Sequence, residues 1–173
     1  MTQAIFIDVF ERTGWGDGIY SILGRALSLA AHFESSCRSL AWILHLRVGP
    51  REIFESEELM KEFLKKLNDR RLKKHISQFA PSRDDFRCLM DKARYARNEI
   101  AHEIPMGMHD QSGLDHNEQY FLKRIHELSI ILAEADCAVC FVLTEITNEH
   151  MPNNDFLKDY PDRVVKWVCE RDG

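Results

Sequence analysis

The sequence predicts an all-α fold, a four- to five-helix up-and-down bundle with two long antiparallel helices. Two apolar stripes carry that reading. Ile19, Leu23, Ala26, Ala30, Phe33, Cys37, Leu40 and Leu44 alternate steps of four and three, and so do Phe121, Ile125, Leu128, Leu132, Ala135, Val139, Val142 and Ile146. Such spacing puts each set on one helix face, so the two stripes can share a seam. No alternating Val/Ile/Thr-rich run is bounded by hairpin turns, and no sheet is expected.

The elements follow in order. Gln3 to Phe10 is a short apolar run containing Asp8 with no basic residue before it, which makes a poor signal peptide. Trp15, between two glycines, is expected to anchor the N-terminal segment. The first long helix runs from about Gly18 to Arg47, where Gly49-Pro50 ends it. Ser56-Glu57-Glu58 then opens a basic helix that reaches about Phe79 and stops at Pro81. Ser82 caps a third helix, favoured by Asp84 and Asp85 in its first turn, which continues through Arg97 to about Glu103. Residues 104–117 read as one long loop, the second apolar stripe as the fourth strong helix, and residues 148–160 as a polar connection. A short helix from Pro161 to about Arg171 is expected to cap the bundle with Val164, Val165, Trp167 and Val168.

The 173 residues suit a single domain, 1–173, with a core of its own. A hydrophobic share of 45% and a charged share of 29% are ordinary for a soluble globular chain. The net charge of −5 argues against general nucleic-acid affinity, yet seven Lys or Arg fall between residues 61 and 75. Lys65, Lys66, Arg70, Arg71, Lys73 and Lys74 are therefore candidate RNA-tracking residues. The competing reading is a solvated face, and composition does not separate the two. Five cysteines without framework spacing argue against a secreted disulfide scaffold. Glu134 and Asp136 interrupt the most apolar stretch, Leu128 to Leu143, which argues against a membrane span. A cytoplasmic protein is expected.

One short stretch carries chemistry. Arg97-Asn98-Glu99-Ile100-Ala101-His102 sets a permanent cation and a near-neutral acid–base group five positions apart, late in the third helix. Spacing alone has little specificity, because Arg25/His32, Arg38/His45 and Arg70/His75 repeat it loosely. The fuller pattern Arg-Asn-x-x-Ala-His resembles the hallmark of the HEPN superfamily, small helical domains that include many metal-independent ribonucleases of toxin–antitoxin, phage-defence and CRISPR systems. Arg97, Asn98 and His102 match that hallmark, as does its placement late in a helix of a bundle. Ile104 stands where some HEPN toxins carry a Tyr, so nothing that rests on the Tyr transfers.

The resemblance implies an endoribonuclease that attacks with a ribose 2′-hydroxyl and leaves a 2′,3′-cyclic phosphate. His102 would serve as general base or acid, and Arg97 would stabilise charge on the phosphoryl oxygens. Asn98 would support them; Arg94, one turn before Asn98 on the face it shares with His102, is a further supporting candidate from helix spacing; no cofactor or metal is implied. An ideal helix separates Arg97 and His102 by roughly 140°. Either the Arg stem bends round, the helix deforms near its end, or a second subunit supplies half the site. HEPN domains are dimers with a composite cleft, so a homodimer is expected, with RNA as substrate and an antitoxin or other protein as restraining partner. Without the resemblance, Arg97 reads as a structural ion pair and His102 as a helix-end hydrogen bond. The rival function is a non-catalytic dimeric adaptor, regulator or RNA-binding module.

Other residues read more plainly. Cys137-Ala-Val-Cys140 has redox spacing but lies inside an apolar helix, where small buried hydrophobes are the better account. Zinc would need further ligands, and no second Cys/His pair stands at finger spacing. His109 and His116, beside Asp110 and Asp115, read as exposed loop polarity. His32 and Glu34 are candidates to line the cleft.

Overall fold

A computed structural model describes residues 14–48, 56–68, 71–79, 84–109 and 118–170. Among these, the regular elements are all helical. They are α1 (Gly14–Val48), α2 (Glu57–Asn68), α3 (Leu72–Phe79) and α4 (Asp84–Asn98), followed by a π-helical turn (Glu99–Glu103). Then come α5 (Ile104–His109), α6 (Glu118–Thr147) and α7 (Asn154–Cys169). The expected stops at Gly49-Pro50 and Pro81, the Ser82 cap and the Trp15 side chain lie outside what is described. So do residues 3–10, Arg70, the His116 loop and the His109 side chain.

Both stripes do what their spacing predicts. Phe33, Cys37, Leu40, Ile125, Leu132, Ala135 and Val139 are fully buried, and α1 and α6 form the spine of the core. Their direction corrects the expectation: the two long helices run parallel. Ser36 meets Asp136, and one helix end further on Arg47 donates to the Ile146 carbonyl, so position rises along both chains together. An antiparallel pair would separate the second contact by tens of ångströms. The chain returns to its starting end through α2 to α5 before α6 begins. α7 supplies the antiparallel partner, because Tyr160 lies level with Asp136 while Arg25 donates to the Val168 and Glu170 carbonyls.

Three other boundaries differ for local reasons. The single basic helix is two, α2 and α3. Ser56 does cap α2, its hydroxyl accepting from the Leu59 N–H at 3.4 Å. α3 turns Leu72, His75 and Ile76 into the core and packs on α1. The expected loop at residue 104 is still helical as far as His109.

α7 starts seven residues before Pro161, because the Asn153 side chain caps it, accepting from the Phe156 N–H at 2.7 Å. Pro161 then stands inside the helix, where it cannot donate to the Leu157 carbonyl. The Cys137 thiol lies 3.7 Å from that oxygen and donates instead. Val165 and Val168 reach the core as expected, but Trp167 does not. It is 52% exposed, beside a shallow groove with Phe156, Tyr160, Arg163 and Val164. No helix among the described residues is long and apolar enough to cross a membrane.

Candidate functional site

α4 presents its apolar face inward. Met90, Ala93 and Ala96 are buried, with Phe86 and Leu89 half-buried beside them. Arg97, in the last turn, points across to α1. Its Nε and Nη2 donate to Glu34 Oε2 at 2.9 and 2.6 Å, and Nη1 donates to Asn98 Oδ1 at 3.2 Å. Arg38 lies 3.6 Å from the other Glu34 oxygen. The Arg97 side chain remains 27% exposed. Glu34 is thus the direct partner of Arg97, and the structural ion pair foreseen for this residue is present. Among the described residues three of the guanidinium's five N–H donors are engaged, which leaves two for another acceptor.

The helix is deformed just after Arg97, over the turn that carries His102. The Ile104 N–H reaches back five residues, to the Glu99 carbonyl, closing a π turn over Glu99–Glu103. Pro105 explains it. In a continuing α-helix its ring would clash with the carbonyl four residues earlier, on Ala101. Widening the turn relieves the clash, and a helix restarted at Ile104 accepts proline in its first turn. The wider turn winds less per residue, so the offset of an ideal helix shrinks. The turn is anchored on both sides: Ile100 is fully buried, and Arg124 of α6 holds both Glu99 oxygens, at 2.5 and 2.7 Å.

His102 is exposed, and among the described residues no hydrogen bond or ion pair joins it to Arg97. It lies on the outer side of the helix with Tyr95 and Met106, which are 64% and 73% exposed. Arg94 is engaged elsewhere. Its Nε lies 3.5 Å from Asp91, and its guanidinium stacks 4.2 Å from the Tyr95 ring centroid. In the basic segment Lys65, Arg71, Lys73 and Lys74 are exposed, whereas Lys66 pairs with Glu62 at 2.7 Å and Lys61 with Glu57 at 2.6 Å. The first of those pairs draws the Glu62 carboxyl below its ordinary range. Of the two candidate RNA-tracking lysines on α2, Lys65 and Lys66, the second is thus already paired within its own helix.

A second polar cluster escaped the sequence reading. Asp136 is fully buried in the α1–α6 seam. Its Oδ1 accepts from Ser36 at 3.1 Å and its Oδ2 from the Tyr160 hydroxyl at 2.6 Å. His32 Nε2 and Cys140 Sγ stand 3.5 and 3.9 Å from the same Oδ2. His32 thus faces α6 and not Arg97, which removes it from the cleft. Cys137 and Cys140 are half-buried, each with a polar contact, and not inert filler. The signal was present: an acid inside an apolar stripe must find donors, and His32 and Ser36 share one face of α1 at four-residue spacing.

Burial, with Asp136 adding, pushes the Cys140 thiol from 9.0 to about 11, and burial likewise raises Tyr160. The sign follows. Below the unfolded thiol value the contribution is intact; it is lost as pH climbs from about 9 towards 11, because the unfolded chain then binds fewer protons. Urea midpoints are expected to hold up to about pH 8 and to fall by about pH 10. Cys140→Ala should flatten part of that fall.

No protein-family model, curated protein or solved structure matches this chain.

Proposed function

We propose that the chain is a metal-independent endoribonuclease of HEPN type, working in the cytoplasm as a homodimer in a toxin–antitoxin or phage-defence role. The observation that carries this reading is the π turn between Arg97 and His102. Of the three ways to reconcile the pair with one phosphate, it supports the deformed helix, and π turns recur at functional sites. The exposed side chains of Tyr95 and Met106 around His102 support the dimer, since a second copy seated there would cover both and bring two motifs to one cleft.

In this mechanism His102 takes the proton of the 2′-hydroxyl, whose oxygen attacks the adjacent phosphorus. The 5′-oxygen leaves and is protonated by a general acid, the second role open to His102 or its copy across the cleft. Arg97 turns its two remaining N–H donors to the phosphoryl oxygens, while Glu34 and Asn98 hold the guanidinium plane. The requirement for a 2′-hydroxyl selects RNA over DNA.

One observation favours the rival reading, a non-catalytic dimeric adaptor or RNA-binding module. Glu34 already satisfies Arg97 within the chain. The two separate cleanly. End-labelled RNA incubated with the purified chain, without added divalent metal, is expected to yield fragments ending in 2′,3′-cyclic phosphate. A 2′-O-methylated copy should stay intact. Uncut RNA from a folded dimer, measured by light scattering and circular dichroism, would leave the module.

A further inference from the structure

The Asp136 cluster holds more than a buried carboxyl requires. Ser36 and Tyr160 already give each oxygen a donor, which suffices to keep a carboxyl in an apolar seam. The imidazole of His32 and the thiol of Cys140 nevertheless converge on Oδ2 from two helices. The Nε2, carboxyl oxygen and Sγ all lie within 4.8 Å of one another. The His32 separation from Oδ2, 3.5 Å, is long for a hydrogen bond, and the Cys140 separation, 3.9 Å, is at the far limit for a thiol. They are close to the edges of a tetrahedral shell, about 3.3–3.6 Å for zinc bonded to N, O and S.

We infer that His32, Asp136 and Cys140 form a binding site for one zinc ion that clamps α1 to α6. A nitrogen–oxygen–sulfur set selects a borderline-soft divalent cation over magnesium or calcium. The His32 side chain is 59% exposed, so the ion has an entry path and a water can complete the tetrahedron from the solvent side. Tyr160 and Ser36 supply the outer hydrogen bonds that orient the carboxyl, and through Tyr160 the clamp reaches α7. Binding forms bonds from zinc to Nε2, Oδ2 and Sγ and displaces the thiol proton of Cys140 to solvent; the ion's oxidation state does not change. None of these residues touches Arg97 or His102, so this site and the ribonuclease reading can fail separately.

The experiment is a titration of the full-length, chelator-treated chain with cobalt(II), the optical stand-in for zinc, followed by zinc. One equivalent should raise a thiolate-to-cobalt charge-transfer band and the intense d–d absorption of a tetrahedral site, which zinc then bleaches. At a hundredfold excess of zinc over Kd the melting temperature should rise by about 5–10 °C. His32→Ala removes an exposed side chain and should weaken cobalt binding at least about tenfold with the fold intact. Cys140→Ser should lose the charge-transfer band, while Cys88→Ser, at an exposed cysteine on α4, should keep it. A wild-type chain without the band, or a band that neither His32→Ala nor Cys140→Ser changes, overturns the site.

Discussion

His102→Ala is expected to lower RNA cleavage by about a hundred- to ten-thousandfold, the usual contribution of a placed acid or base. The side chain is exposed, so melting should be nearly unchanged and the loss cannot be assigned to unfolding. Arg97 needs a gentler probe. Alanine would leave the half-buried Glu34 with only the longer Arg38 contact, mixing stability with activity. Arg97→Lys keeps the charge but loses the planar fork, and cleavage should fall by about a hundredfold with most of the stability retained. Glu34→Gln weakens the grip on the guanidinium and should act in the same direction, more weakly. Cleavage by His102→Ala at the wild-type rate, in protein free of contaminating nuclease, would end the enzymatic reading.

Phe33→Ala is expected to cost about 3–5 kcal/mol, the largest effect of any single truncation proposed for this chain. Phe33 is fully buried in the core cluster, where its ring can be replaced only by a void. Guanidinium titration checks the value through the shift in midpoint at constant slope. Trp167→Ala makes the contrast: the larger residue is half-exposed, and its loss should cost less than about 1 kcal/mol. Equal costs for the two would contradict the placement of the core.

How much of this was legible follows from which interactions are local. The stripes on α1 and α6 are periodic, so their pairing could be read before any coordinate was known. Their relative direction could not, because a stripe looks the same from either end. The helix carrying Arg97 was legible through the acids of its first turn, Asp84 and Asp85. The π turn is half legible: the angular mismatch demands some distortion, but Pro105 by itself reads as part of a loop. Pro161 misled for a related reason. Its damage to a helix is local, whereas the repair, Cys137 meeting the Leu157 carbonyl, comes from twenty residues away. Glu34 as the mate of Arg97 is 63 positions distant, and no spacing rule reaches that far. The Asp136 cluster is not legible from spacing, because the acid alone reads only as an obstacle to a membrane span, and its donors Ser36 and Tyr160 sit on other helices.

The side-by-side run of α1 and α6 has an electrostatic corollary. Backbone dipoles of antiparallel neighbours cancel, whereas those of parallel neighbours add. Two amino termini, each equivalent to roughly half a positive charge, therefore point out of the same end of the bundle. Arg124, within about two turns of the start of α6, ties the π turn to that end. The C-terminus of α7 reaches the same end, where its Val168 and Glu170 carbonyls meet Arg25, so its antiparallel dipole offsets part of that sum.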